Sequence, residues 1–368
     1  MLVFDNVIIS VLFLLLFFRI LYHKRMKKAI ATAYFSFLWG RIILKKEKVI
    51  KAMCTAIRFN NRYFGRTLDF ERGFEEELVV TPRDSMQLLE ASNRYSMMGV
   101  GVVSDGIPLY FDGVNEWGLA AAALNFPHYA VYSRDTSGTA IPSGRLISYL
   151  LGICRSVSEV KDVLGKITVT DGTEQVGASS PLHWIFSDGR ESAVVESVRD
   201  GIRVMDNPVG VLTNSPPFDY HLAQLAAYSN LSVRNPTTTL GGSSLYSGGM
   251  GAIGLPGDYS STSRFIRATF LKESCFDRAR DVGEWELNRT FDILCSVMIP
   301  KGAVLSDAGQ PVFTRYTAVI DMEKPSYYLT SPTCRTVHTI ALSDSLCNAG
   351  EIKSYPIYRE ERIIPIIE

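Results

Sequence analysis

Between residues 53 and 69 apolar, β-branched and aromatic positions alternate with polar ones in two runs, 55–59 and 63–67, which predicts a β-hairpin. Asn60 and Asn61 tolerate left-handed backbone and suit the turn between them. A loop of Asn60, Asn61 and Arg62 pairs Ala56 with Arg66 and Cys54 with Leu68, and puts the even-numbered side chains on one face. A two-residue loop would turn that face over. Further strands are predicted at 78–81, 99–103 and 109–111. Residues 114–118 form a turn into the run 119–124, which is apolar at every position, as in a sheet covered on both faces. Asn125 closes that run just ahead of Phe126-Pro127.

Helical spacing then covers 145–154 and 157–164, the second capped by Ser156 or Ser158. Residues 182–187 and 192–197 read as a hairpin about Asp188-Gly189. A strand at 209–213 runs into Asn214, with Pro216 behind to stop pairing. Helices are expected at 219–228, where His221 reads as a capped or core residue rather than a base, at 265–273 and at 285–296. Arg264 stands at the start of the second of these, where the helix dipole disfavours a cation, so a specific anionic partner is expected. Residues 249–254 spell G-x-G-x-x-G, but Leu255-Pro256-Gly257 follows where a nucleotide-binding helix should begin. With late strands at 314–320, 326–330 and 336–342, the pattern suggests an α+β layered fold in one large domain.

Charge separates the chain into two pieces. Residues 1–52 carry ten of the 38 Lys and Arg but two of the 38 acids, a net +8 against −8 for residues 53–368. Apolar runs at 7–18 and 29–40 fall short of the roughly 20 residues of a spanning helix. The expectation is that 1–52 is upstream sequence from a mis-set start, or is removed. Were it retained, it would bring membrane contact, with the body on the cytoplasmic side. The six Cys show neither C-x-x-C spacing nor Cys/His clusters, which argues against a zinc site or disulfide framework and for a cytoplasmic protein. No cofactor, metal or nucleic-acid partner is expected.

Met53-Cys54 carries the chemistry. A chain beginning at Cys54 would hold an accessible thiol and a free α-amine on one residue, and an α-amine titrates at roughly 7.7 to 8.0. The amine can accept the thiol proton, so nucleophile and base come together. Arg66, diagonally beside Cys54 on the shared face, would favour the thiolate.

Taken in order, several segments resemble the choloylglycine hydrolase family, which holds conjugated bile acid hydrolases and penicillin V acylases among the amino-terminal-nucleophile hydrolases. They are Met53-Cys54-Thr55, Phe64-Gly65-Arg66 with Leu68-Asp69, Asn115-Glu116-Trp117-Gly118-Leu119, Leu124-Asn125-Phe126-Pro127, Leu182-His183-Trp184, Val211 to Pro216, and Gly254 to Asp258 with Ser263-Arg264-Phe265. The resemblance covers the body and none of residues 1–52. It implies a four-layer αββα sandwich with two stacked, mainly antiparallel sheets, a homotetramer, and hydrolysis of a linear amide. It further implies that Cys54 attacks, Arg66 lowers the thiol pKa and contacts ligand, and Asp69 holds the α-amine. Asn214 would supply an oxyanion-hole amide, Asn125 sit beside the leaving group, and Arg264 steady developing charge. Leu68, Phe74 and Leu182 match positions lining an apolar steroid pocket, and Asn rather than Tyr at 125 resembles the bile-acid hydrolases. The turn before Arg66 is shorter than usual, and the stretch 170–180 is more polar than in typical members. The expected substrate is a glycine- or taurine-conjugated bile salt, with penicillin V or an acyl-homoserine lactone as the alternative. A membrane-tethered binding protein would follow if Cys54 stays internal.

Overall fold

The hairpin forms as its pattern predicts. Strands Met53–Phe59 and Tyr63–Phe70 pair antiparallel with Cys54 opposite Leu68 and Ala56 opposite Arg66. Asn60 and Asn61 take φ of 53° and 60°, the left-handed conformation that Asn accepts more readily than most residues. The computed structural model describes residues 52–89, 92–104, 106–171, 180–236, 248–275, 284–361, 363, 365 and 366. The expectations for residues 1–51, including both apolar runs, and for most of the polar stretch 170–180 lie outside the described residues. Residues Ile50–Glu368 make up one compact unit.

Among the described residues the hairpin sits inside a seven-stranded sheet. Val211–Leu212 flanks its first strand, and Pro311–Asp321, Ser326–Ser331 and Cys334–Ala341 follow its second in order, with Val304–Leu305 at the side. A second sheet of nine strands runs from Gly201–Asp206 through Ser192–Val198, Leu182–Ser187, Ala120–Asn125, Asp112–Asn115, Met97–Ser104 and Glu77–Thr81 to Lys353–Pro356, with Ile107–Tyr110 alongside. All pairings within these two sheets are antiparallel.

Burial shows how the layers stack. Ala120, Ala122 and Leu124 share one cluster with Cys54, Leu68 and Tyr316, so this face of the nine-stranded sheet meets the seven-stranded one. Ala121 and Trp184, one residue out of phase, share another with Leu146, Ile147, Leu150 and Val160, on helices Leu146–Ile153 and Val157–Leu164. On the far side of the seven-stranded sheet, the Cβ that Gly65 lacks would come within 2.7 Å of Leu294, on helix Glu284–Cys295. Helix Ser261–Ser274 contributes Phe265 and Ala268 to the core on that side. The order is helix, sheet, sheet, helix, the expected αββα sandwich.

Strand alternation then sorts the hairpin's side chains. Cys54, Arg66 and Leu68 share the face toward the other sheet, and Thr55, Thr67 and Asp69 share the face toward the helices. The long strand Pro311–Asp321 serves both faces through a bulge: Thr314 pairs with Asp69 and Tyr316 with Leu68, leaving Arg315 as the extra residue.

Several elements differ from the expected ones. Asp112–Asn115 is a strand of its own, and the turn begins only at Glu116, where Asn115 Oδ1 accepts from the backbone N–H groups of Trp117 and Leu119. The predicted strand 209–213 shrinks to Val211–Leu212. The helix at 265–273 starts earlier, at Ser261, because the Ser260 hydroxyl caps it by accepting from Ser263 N. Ser156 caps Val157–Leu164 in the same way, through Glu159 N. Strands Gly201–Asp206 and Lys353–Pro356 lack a readable pattern, since both are edge strands that are largely exposed. The G-x-G-x-x-G stretch holds a short 3-10 turn, Met250–Ala252, and opens no helix.

Candidate active site

Cys54 lies at the second position of an inner strand and is buried, with 1% of its surface exposed, so the accessible thiol expected from the sequence is not what the chain shows. Burial pushes the thiol pKa up. Arg66 is the strongest influence in the other direction, followed by a hydrogen bond from the Asp69 backbone and by Arg264, while the Asp69 carboxylate adds to the rise. Arg66 therefore opposes the shift as expected, but burial outweighs it.

The backbone nitrogen of Cys54 donates to Asn214 Oδ1 at 2.7 Å. Asn214 Nδ2 in turn donates to the carbonyl of Asn125 at 2.9 Å, which joins the two strand-ending asparagines. Arg264 is fully buried and completes this group: Nη2 donates to Asn214 Oδ1 at 2.8 Å, and Nη1 to the Cys54 carbonyl at 2.5 Å and to Thr55 Oγ1 at 2.8 Å. Its Nε reaches the Tyr259 carbonyl. The anionic partner expected for Arg264 is thus replaced by neutral oxygens in direct contact, with the Asp69 carboxylate acting on it through its charge. Burial leaves the Arg264 pKa lowered.

Asp69 faces the helices. Its carboxylate accepts from Thr314 Oγ1 at 2.5 Å and Thr67 Oγ1 at 3.1 Å, and the Cys54 nitrogen bonds to Asn214 rather than to it. Burial raises its pKa to about 6 against the pull of Arg264 and the two threonines. Arg66 faces the other sheet, where Nη1 donates to the Phe111 carbonyl at 2.9 Å and to Asp112 Oδ2 at 3.3 Å. Both strands of the hairpin, the end of Ala120–Asn125, the residue after Val211–Leu212 and Thr213, and helix Ser261–Ser274 thus bring together Cys54, Arg66, Asp69, Asn125, Asn214 and Arg264.

The three pocket positions fall around this group. Leu68 stands directly across from Cys54, and Leu182 directly across from Asn125. Phe74, in the loop after the hairpin, packs between Phe70 and Phe111 with ring centroids 4.5 and 5.3 Å away.

Residues to which the sequence gives no part in the chemistry hold Asn214 in place. His221 Nε2 lies 2.8 Å from the Asn214 carbonyl, which needs a donor there, so this nitrogen carries the proton. Burial pulls the His221 pKa down to about 4, so the ring is neutral near pH 7 and acts as a core residue, as expected. Ser261 Oγ accepts from Asn214 N at 2.9 Å, and His183 Nε2 meets the Thr213 carbonyl at 2.8 Å. The available signal is His183 and Glu196 on strands that are apolar apart from serines, because a buried polar side chain must find a partner.

Two stacked antiparallel sheets between helix layers, with a cysteine near the start of an inner strand, are the arrangement that the resemblance to amino-terminal-nucleophile hydrolases implies. The family model of linear amide C-N hydrolases, choloylglycine hydrolase family, matches residues 54–355. The chain is 38% identical over 320 residues to the bile salt hydrolase/transferase of Lactiplantibacillus plantarum, covering 84% of this chain and 98% of that one. It is 36% identical to the conjugated bile acid hydrolase of Lactobacillus acidophilus, covering 82% and 100%. Among solved structures, a variant of the conjugated bile acid hydrolase from Clostridium perfringens matches with a TM-score of 0.79 at 32% identity, over 86% of this chain and 100% of that one. Penicillin V acylase from Agrobacterium tumefaciens matches with a TM-score of 0.65 at 23% identity, over 83% and 91%, which bears on the fold alone. The chain belongs to the choloylglycine hydrolase family of linear amide C-N hydrolases.

Proposed function

We propose that the protein hydrolyses the amide bond of glycine- or taurine-conjugated bile salts, with the Cys54 thiolate as nucleophile. The observation that carries this reading is the bond between the Cys54 nitrogen and Asn214 Oδ1, beside a thiol set among Arg66, Arg264 and Asp69. The relatives named for bile salts supply the substrate class.

The raised thiol pKa gives the α-amine its task. A peptide nitrogen cannot take a proton, so the reaction requires a chain that begins at Cys54. The amine then accepts the thiol proton as sulfur attacks the amide carbon. Negative charge gathers on the carbonyl oxygen, where the Asn214 amide and the Arg264 charge favour it; one such donor is worth roughly 10²- to 10³-fold in rate. The α-ammonium returns its proton to the departing glycine or taurine nitrogen. Water, deprotonated by the same amine, then cleaves the thioester and releases the free bile acid. In a chain beginning at Cys54 the α-ammonium keeps the bond of that nitrogen to Asn214 Oδ1, the Asp69 carboxylate favours the cation through its charge, and Asn125 stands beside the leaving group. Leu68, Phe74 and Leu182 line the steroid side. The reading includes a homotetramer, on the family resemblance, and a cytoplasmic location, on the scattered cysteines.

The test compares kcat/KM for taurocholate, glycocholate and penicillin V on protein whose amino-terminal residue is established as Cys54. Bile salts should be preferred, and a clear penicillin preference would overturn the substrate assignment. Cys54→Ser should reduce turnover to a trace, because an alcohol ionises far less readily than a thiol. Near-normal activity in that variant, or in protein retaining Met53, would remove Cys54 from its role.

A further inference from the structure

Asp112 opens the strand Asp112–Asn115 in the nine-stranded sheet and is fully buried. Its carboxylate reaches across to the other sheet. Oδ2 accepts from Arg66 Nη1 at 3.3 Å and from the Tyr316 hydroxyl, and Oδ1 accepts from the Tyr327 hydroxyl at 2.5 Å. All three donors stand on strands of the seven-stranded sheet, and all three are buried.

A carboxylate in this position is a poor choice as a mere tie between sheets. Taking a charged pair out of water is costly, and an apolar replacement often serves stability as well or better. What sets this pair apart is the second neighbour of Arg66. The guanidinium is also the strongest of the charges favouring the Cys54 thiolate. It is fixed on one side, with Nη1 on Asp112 and the Phe111 carbonyl and Nε 3.4 Å from the Thr67 carbonyl. Nη2 is buried and has no hydrogen-bond partner among the described residues.

Charged and titratable groups face this site from both sheets. Arg66, Asp69 and Arg264 act on the thiol; Tyr316, Cys54, Asp112 and Tyr327 act on Arg66; and burial raises the Asp112 pKa, with Arg66 first and then the Tyr316 and Tyr327 hydroxyls working to keep it a carboxylate. Glu76 adds to the field at Tyr316. Asp112 is thus coupled to the sulfur chiefly through Arg66.

We infer that Asp112 is a positioning residue for the reaction: held by the Tyr316 and Tyr327 hydroxyls, it fixes Arg66 and sets how much of that positive charge reaches the Cys54 sulfur. The carboxylate offsets part of the guanidinium charge, and the two hydroxyls offset part of the carboxylate. The inference rests on Cys54 as the nucleophile.

The experiment follows alkylation of Cys54 by iodoacetamide against pH, in protein beginning at Cys54, with the modified peptide identified by mass so that the other five cysteines do not interfere. Asp112→Asn keeps an acceptor for Arg66 and removes the charge. Its half-alkylation pH should fall by about one unit, a tenfold gain in thiolate at a fixed lower pH. In an Arg66→Met background the same change should be silent, because Asp112 without its cation takes up a proton. Tyr327→Phe retains the carboxylate and removes one donor, so it should move the profile slightly the other way; it also keeps the question open if Asp112→Asn does not fold. An equal shift with and without Arg66, or no shift in either Asp112→Asn or Tyr327→Phe, overturns the inference. If the unaltered protein is alkylated at Cys54 yet cleaves no bile salt, the substrate reading fails while the comparison of profiles still stands.

Discussion

Two arginines flank one sulfur, and their surroundings differ. Arg66 meets a carboxylate on the opposite sheet, and although burial works to lower its pKa, Tyr316, Cys54 and Asp112 raise it overall. Arg264 meets carbonyl, hydroxyl and amide oxygens, and burial leaves its pKa lowered. The first charge is largely answered within the protein. The second is held in direct contact by dipoles, which orient it, and the Asp69 carboxylate acts on it without a hydrogen bond, so its N–H groups face neutral oxygens where charge develops during a reaction.

The largest effect that separates the two is on stability. Arg264→Met strips partners from four buried or half-buried acceptors and removes the main cation near Asp69, so a loss of about 4 kcal/mol is expected in chemical denaturation. Arg66→Met leaves an Asp112 that can neutralise itself by taking up a proton, and should cost about half as much. Equal losses would mean that the two cations are held alike. Next in size, Asn214→Ala removes the acceptor that Arg264 and the Cys54 nitrogen share. It should lower kcat by about 3 kcal/mol of transition-state stabilisation with KM little changed. An unaltered kcat would take the amide out of the oxyanion role.

The smallest effect concerns pH. Burial raises the Asp69 pKa to about 6, so the carboxylate is charged above that value and protonated below it. If its charge favours the α-ammonium, activity should fall as pH drops through about 6, by about tenfold at pH 5. Asp69→Asn should lack this acid limb; a limb that persists would assign it to another group.

How much of this is readable in the sequence follows from distance along the chain. The hairpin register needs only alternation and two asparagines, so the neighbours Cys54, Leu68 and Arg66 fall where they were expected. Arg264 is recognisable as a misplaced cation, but three of its four partners lie 50, 209 and 210 residues away, and no local rule distinguishes a carboxylate from a ring of neutral oxygens. Asp112 falls between a predicted strand and a predicted turn and draws no notice there, because its donors Tyr316 and Tyr327 sit 204 and 215 residues downstream. The burial of Cys54 is equally out of reach, since it depends on the second sheet closing over the first.

The bulge at Arg315 has a consequence for how the chain tolerates change. Two residues apart on a regular strand, Thr314 and Tyr316 would point the same way, and only one could serve the hairpin face it now serves. The spare position lets a single strand brace Asp69 from the helix side and Asp112 from the sheet side. Shortening that strand by one residue would therefore disconnect one carboxylate from its support while leaving every residue of the hairpin intact.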